Sequence, residues 1–184
     1  MNQPATSPTL KTERLLLRRF TEADAPEVSR LCDNYNLYKS TLNLPHPYPV
    51  ESALEWIATH DKSFEDGRMY ELAITDKESG KLYGAIGLSH QQTHRHGEIG
   101  YWVGEEYWGQ GYATEAAKAV LDFAFRKKDF HRVYARFFAS NSASGKVMEK
   151  CGMTYEGTQK EHVLKEDRYE DLLLYGILNP YQQS

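Results

Sequence analysis

Hydrophobic positions along this chain change their period several times, and each change marks an element. "RLLLRRF" (Arg14 to Phe20) is a short apolar run closed by arginines and predicts a first strand. "TEADAPEVSRLCDNY" follows with Val28, Leu31 and Cys32 at helical spacing, and Thr21 with Asp24 three residues on gives that helix a capped start. "NLPHPYPV" holds Pro45, Pro47 and Pro49 and reads as a loop. "ESALEWIATHDKSF" predicts a second helix with Leu54, Ile57 and Ala58 on one side, ended by Gly67. Three strands come next, "RMYELAIT", "LYGAIGLSH" and "GEIGYWV", the first two parted by the turn-like "DKESGK". Gly84, Gly87 and Gly100 lie inside these strands, where glycine weakens a sheet unless something needs close approach.

The clearest helical period runs from Tyr112 to about Lys127. Ala113, Ala116, Ala117, Val120, Leu121 and Ala124 share one face, and Arg126, Lys127 and Lys128 close the helix with the charge its C-terminus favours. "HRVYARFF" is then a strand, "NSASGKVMEKCG" a short helix ending at Gly152, and "MTYEGTQKEHVL" and "RYEDLLLYGIL" a closing pair of strands around "KED". The order βαα βββ α β α ββ predicts an α+β domain with a mixed sheet. The helix between "GEIGYWV" and "HRVYARFF" would join parallel strands. With 184 residues, no internal repeat and no low-complexity linker, the chain reads as a single domain over 1–184.

Composition narrows the partners. Hydrophobic residues at 40% and charged residues at 26% suit a globular chain. A formal net charge of −4 lacks the basic footprint of non-specific nucleic-acid binding. No apolar run approaches the roughly 18 residues of a membrane helix. The polar "MNQPATSPTL" lacks the basic-then-apolar order of a secretory signal, so a cytoplasmic protein is expected. Cys32 and Cys151 fit two reduced thiols. "SHQQTHRHG" groups His90, His94 and His96, but no matching Cys, Asp or Glu spacing completes a metal set; a hairpin tip is the simpler reading and no metal is expected.

Candidate chemistry concentrates in "EEYWGQGYATEA", Glu105 to Ala116. A strand ends near Val103, a helix starts near Tyr112, and Gly109 and Gly111 lie between them. A helix N-terminus leaves four N–H groups without partners and about half a positive charge. Glycines before it let backbone approach an anion closely, which makes a diphosphate cradle. The turn lacks the Gly-Lys-Ser/Thr of a Walker A loop, and Thr114 stands where a dinucleotide fingerprint needs its third glycine. On the glycines alone, an ordinary strand–helix turn is an equal reading.

The element order and "GQGYAT" resemble the Gcn5-related N-acetyltransferases, whose R/Q-x-x-G-x-G/A signature falls on Trp108, Gly111 and Ala113. Trp108 departs from the usual Arg or Gln, a departure shared with the RimJ/RimL branch of ribosomal-protein N-terminal acetyltransferases. "LKTERLLLRRFTEADA", "GEIGYWVGEEYWGQGYATEA", "NSAS" and "YEGTQKEHVLKEDRYEDLLLYGIL" resemble that branch in order, over roughly residues 10–178. The resemblance implies a mostly antiparallel sheet of about seven strands flanked by four helices, with a parallel, splayed pair at the cofactor site. It also implies acetyl-CoA as co-substrate and a primary amine as acceptor, with direct transfer in a ternary complex, and it leaves room for a homodimer.

By the same resemblance, backbone N–H groups of Gln110, Gly111, Tyr112, Ala113 and Thr114 hold the diphosphate, with Trp108 and Gly109 completing the turn. Backbone of Ile99 to Val103, including Tyr101 and Trp102, runs beside the pantetheine like an added strand. An oxyanion N–H is expected from Tyr101 to Val103. The tyrosine that protonates the thiolate in many relatives falls on Met148, which cannot do so; the serine used by the RimL-like branch falls on Ser144. Helix capping is the plain alternative for both Ser144 and Asn141, less so for Asn141, which also fits a pantetheine amide contact. The branch's hairpin glutamate falls on Val163, so candidate bases are Glu98, Glu161 and His162. Strand Glu98 also reads as an arginine partner, and Glu161 and His162 as outer hairpin positions. Tyr35, Tyr38, Tyr48 and Trp56 could wall an acceptor pocket or serve as core and rim aromatics. The expected acceptor is a protein N-terminal α-amine. The alternatives are a small-molecule amine such as a polyamine, and a non-catalytic acetyl-CoA-binding regulator, to which Met148 and Val163 lend weight.

Overall fold

A computed structural model describes residues 8–182; the segment 1–7, which carries most of the stretch read above for a signal, lies outside the described residues. Among the described residues eight strands form one sheet in the order β1-β2-β3-β4-β5-β6-β8-β7. They are β1 (Leu10–Lys11), β2 (Leu15–Arg18), β3 (Met69–Asp76), β4 (Leu82–Ser89), β5 (His96–Val103), β6 (Arg132–Phe138), β7 (Thr154–Lys165) and β8 (Arg168–Leu178). Every neighbouring pair is antiparallel except β5 and β6, which run parallel. The α+β fold with one parallel pair agrees with the sequence reading. The extra strand is β1, two residues paired to Leu16 and Leu17, too short to leave a periodic signal.

Among the described residues six α-helices appear where four helices were expected. α1 (Ala25–Cys32), α5 (Tyr112–Asp122) and α6 (Ser142–Lys150) lie where the periodicity put them, and α5 runs on through a π-helical turn at Phe123–Lys127. α2 (Tyr35–Ser40) was not anticipated; the Asn34 side chain accepts from Leu37 N–H and starts it just before the proline loop. The expected second helix divides into α3 (Val50–Ala58) and α4 (His60–Glu65). At the break, the Thr59 N–H and Oγ1 both donate to the Trp56 carbonyl, at 3.2 and 2.7 Å.

The core forms between helices and sheet, with Leu15, Leu17, Leu72, Ile74, Ile86, Leu88 and Phe130 closed to solvent. α5 packs on β2, β4 and β5, while α1 packs on α3 and β4. These layers hold β5 and β6 in place at the centre of the sheet, where the parallel pair comes apart.

Candidate active site

Pairing between β5 and β6 covers three rungs, His96 with Arg132, Gly97 with Val133 and Glu98 with Tyr134. Beyond them β6 pairs only with β8, and β5 only with β4. The inner edges of both strands are therefore open. Glu98 N–H donates to Ser89 Oγ (2.8 Å) and Gly104 N–H to the Tyr83 carbonyl (2.9 Å), both toward β4. Backbone groups alternate in direction along a strand, so Ile99, Tyr101 and Val103 aim theirs into the gap. A cleft of about 1220 Å³ occupies the gap and reaches both faces of the sheet.

At the end of β5 the chain makes the glycine turn. Gly109 (φ 74°) and Gly111 (φ 83°) both adopt left-handed backbone, which explains the two glycines. Gly111 is the N-cap of α5. A Cβ at Gly109 would meet nothing within 4 Å, so this side of the turn is open. Trp108 fills the signature position differently from Arg or Gln: its indole Nε1–H donates to the Val103 carbonyl at 2.7 Å and ties the turn to β5. Arg14 braces the turn from below, donating to the Gln110 carbonyl (2.9 Å) and to Glu115 Oε2 (2.7 Å). Trp108, Gly109, Gly111, Tyr112, Ala113 and Thr114 line the cleft, whereas the Gln110 side chain turns away to the Glu106 carbonyl. The open turn, the free N–H groups of α5 and the free edge of β5 fit a diphosphate followed by an amide-bearing arm.

On the α6 face, Asn141 caps the helix by accepting from Ser144 N–H at 3.3 Å, and its Nδ2 donates to the Ser40 carbonyl at 3.2 Å. Ser144 is not the cap. Its Oγ lies 3.1 Å from the Tyr101 hydroxyl, inside the cleft. Burial raises the Tyr101 phenol, partly countered by the bond to Ser144, so the phenol keeps its proton at neutral pH.

The opposite face carries Trp102, packed near Trp56 of α3 at 6.5 Å between ring centroids, and Glu98. Arg136 Nε and Nη2 donate to the two Glu98 oxygens at 2.9 and 3.0 Å, so Glu98 stands in the cleft as half of a bidentate ion pair. The structure leaves Glu161 and His162 outside the cleft, exposed on a bulged stretch of β7; Glu161 has φ 46° and its N–H donates to Asp171 at 2.8 Å. Of the aromatics, Tyr35, Tyr48 and Trp56 line the cleft, and Tyr38 lies under Lys165 Nζ at 3.7 Å.

Sequence reasoning passed over Glu71 on β3. Its carboxyl lies over Gly87 on β4, where an added Cβ would come within 2.5 Å of Oε1. Burial alone pushes its pKa up to about 8, with no hydrogen bond or charge contributing. The available signal was one acidic residue inside "YELAIT" together with the glycines of the next two strands. Only the register shows that they meet. Among the described residues, no group of three or more His, Cys, Asp or Glu is placed to hold a metal, and no helix is long and apolar enough to cross a membrane. His90 instead stacks on Phe130 at 4.2 Å, and His94 on His96 at 5.8 Å.

Comparisons with known proteins agree with this geometry. The family model described as "Acetyltransferase (GNAT) domain" matches residues 14–154. An uncharacterized N-acetyltransferase, YoaA of Bacillus subtilis, is 29% identical over 94% of this chain and 98% of its own. The [Ribosomal protein uS5]-alanine N-acetyltransferase of Escherichia coli is 24% identical over 93% of this chain and 91% of its own. Among solved structures, RimL, a ribosomal L7/L12 acetyltransferase in complex with coenzyme A, superposes with TM-score 0.85 at 20% identity, covering 93% and 98% of the two chains. Spermidine N-acetyltransferase from Vibrio cholerae, in complex with CoA and spermine, gives TM-score 0.79 at 24% identity, covering 91% and 97%. The family match runs from just before β2 to the start of β7, so the chain belongs to the GNAT acetyltransferases and is an acetyl-CoA-dependent N-acetyltransferase.

Proposed function

We propose that the acceptor is the α-amine of a polypeptide. The observation that carries this reading is the charge pattern at the acceptor end of the cleft. Glu98 is bound by Arg136, Glu105 by Asn34 and Asn36, and Glu166 by the Tyr35 hydroxyl. Lys165 stands over Tyr38 and Lys39 over Tyr35. A polyamine needs several free carboxylates spaced along its site, and lysines beside that path repel it. A peptide brings one ammonium and an extended backbone, which a long cleft between α2, the proline loop and the β7–β8 hairpin can admit. The relative named [Ribosomal protein uS5]-alanine N-acetyltransferase supports this reading.

Residue roles follow from the same arrangement. N–H groups of Tyr112, Ala113 and Thr114 hold the diphosphate, and the gap-facing groups of Ile99 and Tyr101 pair with the pantetheine arm. The N–H of Tyr101 or Val103 receives the oxyanion as the acetyl carbonyl is attacked. Ser144 Oγ gives its proton to the leaving thiolate and is resupplied by the Tyr101 hydroxyl. The Glu98–Arg136 pair holds β5 and β6 together at the mouth of the splay.

Free-thiol release from acetyl-CoA tests the acceptor. The panel holds peptides with free N-termini, the same peptides blocked at the N-terminus but carrying lysine, and spermidine and spermine. Free-N-terminus peptides are expected to be the best acceptors. Preference for a polyamine, or thiol release from none of the panel, would contradict the proposal.

A further inference from the structure

We propose that Glu71 is the base that takes the proton from the acceptor ammonium. The placement rests on register. Glu71 pairs with Gly87, and Gly87 pairs with Gly100, so the three occupy one rung across β3, β4 and β5 and share a face. The Glu71 carboxyl lies over Gly87, because no side chain stands there. At Gly100 an added Cβ would meet nothing within 4 Å. The two glycines thus make a trough that runs from the carboxyl to the open edge of β5. Strands are about 4.8 Å apart, so a carboxyl over Gly87 is about one strand spacing from Gly100, room for an amine or an amine and one water.

Two other charged groups that line the cleft are engaged. Glu98 is held by Arg136 on β5 and β6, and Lys165 on β7 donates to the Thr41 carbonyl. Tyr48 from the proline loop also faces the cleft. Glu71 alone among these carboxylates makes no hydrogen bond or ion pair within the described residues. A protonation equilibrium near 8 matches an α-ammonium, whose ordinary value is about 7.7–8.0, and lies well below a lysine ammonium at about 10.4. The raised carboxyl is therefore better matched to an α-ammonium than to a lysine ammonium.

The Glu71 carboxylate takes one proton from the ammonium and later returns it to water. The freed nitrogen lone pair forms the C–N bond, the C–S bond breaks with its electrons going to sulfur, and the nitrogen gives its second proton to water, which returns one to the Ser144–Tyr101 hydroxyl pair. Ser144 supplies the proton that completes the thiol.

This inference rests on the acetyl-transfer reading, and the test separates the two. Glu71→Gln is assayed with a free-N-terminus peptide and with the same peptide carrying an acyl hydrazide in place of the α-amine, a nucleophile uncharged at pH 7. With the ammonium acceptor, kcat/KM is expected to fall on the order of 10²–10⁴-fold. With the hydrazide it should stay near wild type, and CoA affinity by calorimetry should be unchanged. Equal losses with both nucleophiles, or no loss with either, would overturn the role. If the wild type acetylates neither, the acceptor reading itself falls and Glu71 falls with it. Gly100→Ala is a second variant: it has room to fold, but its methyl group fills the trough, so kcat/KM should drop for both nucleophiles. Wild-type rates in that variant would remove the trough from the site.

Discussion

Glu71 also makes a prediction about stability that needs no substrate. Its pKa in the folded protein is about 8, against an ordinary value of 4.5, because burial disfavours the carboxylate. The folded state therefore holds this proton more tightly than the unfolded state between those limits. Stability falls as pH rises through that window, by about 1.36 kcal/mol per pH unit, and then levels off. Across the whole window the group costs roughly 5 kcal/mol, an upper figure because the cleft admits water beside the carboxyl. Glu71→Gln keeps the shape and removes the charge. At pH 4 the variant and the wild type should be about equally stable, since both side chains are neutral. By pH 9 the variant should be more stable by several kcal/mol. Urea unfolding at pH 4, 6, 8 and 9 measures the gap, with equal m-values confirming that the same surface unfolds. A gap that stays constant with pH would refute the burial of this carboxyl. A gap of the opposite sign at pH 9, with the wild type the more stable, would show that a partner stabilises the charged form.

Two further substitutions probe the cofactor side. Gly111→Val places a branched side chain at φ 83°, with its Cβ about 3.3 Å from Arg14; calorimetry with CoA should show markedly weaker binding, and unchanged affinity in a folded variant would remove the cradle assignment. Ser144→Ala should lower kcat on the order of 10²–10⁴-fold with CoA affinity intact; a loss of only about 1 kcal/mol in stability, with kcat unchanged, would leave Ser144 as no more than a partner of Tyr101.

Much of the fold was legible because its elements carry long periods. The six apolar positions of α5, the strands on either side of it, and the paired glycines before it place the cofactor turn without coordinates. What escaped is short or lies across strands. β1 has two residues and α2 six, below the length at which a period can be read. The α3–α4 break falls at Thr59, inside an otherwise continuous helical pattern. Gly84, Gly87 and Gly100 stood out as glycines needing a reason, and the register supplies different reasons. A Cβ at Gly84 would collide with the Trp102 carbonyl at 2.1 Å, while Gly87 and Gly100 clear the path of Glu71. Glu98 shows the reverse: the residue type suited a base, but its pairing with Arg136, 38 positions away, follows from the β5–β6 crossing alone. Ser144 and Tyr101 likewise meet only when α6 folds over β5.

The proposed acceptor, a peptide α-amine, can be set against a lysine amine within one molecule. A peptide with one free N-terminus and one internal lysine, incubated with acetyl-CoA and the protein, puts both amines before the same site. Fragmentation mass spectrometry then locates the acetyl group. The account predicts acetylation at the α-nitrogen, with lysine modified no faster than in the enzyme-free control. Acetylation of the lysine in preference to the N-terminus, or of neither, would contradict it.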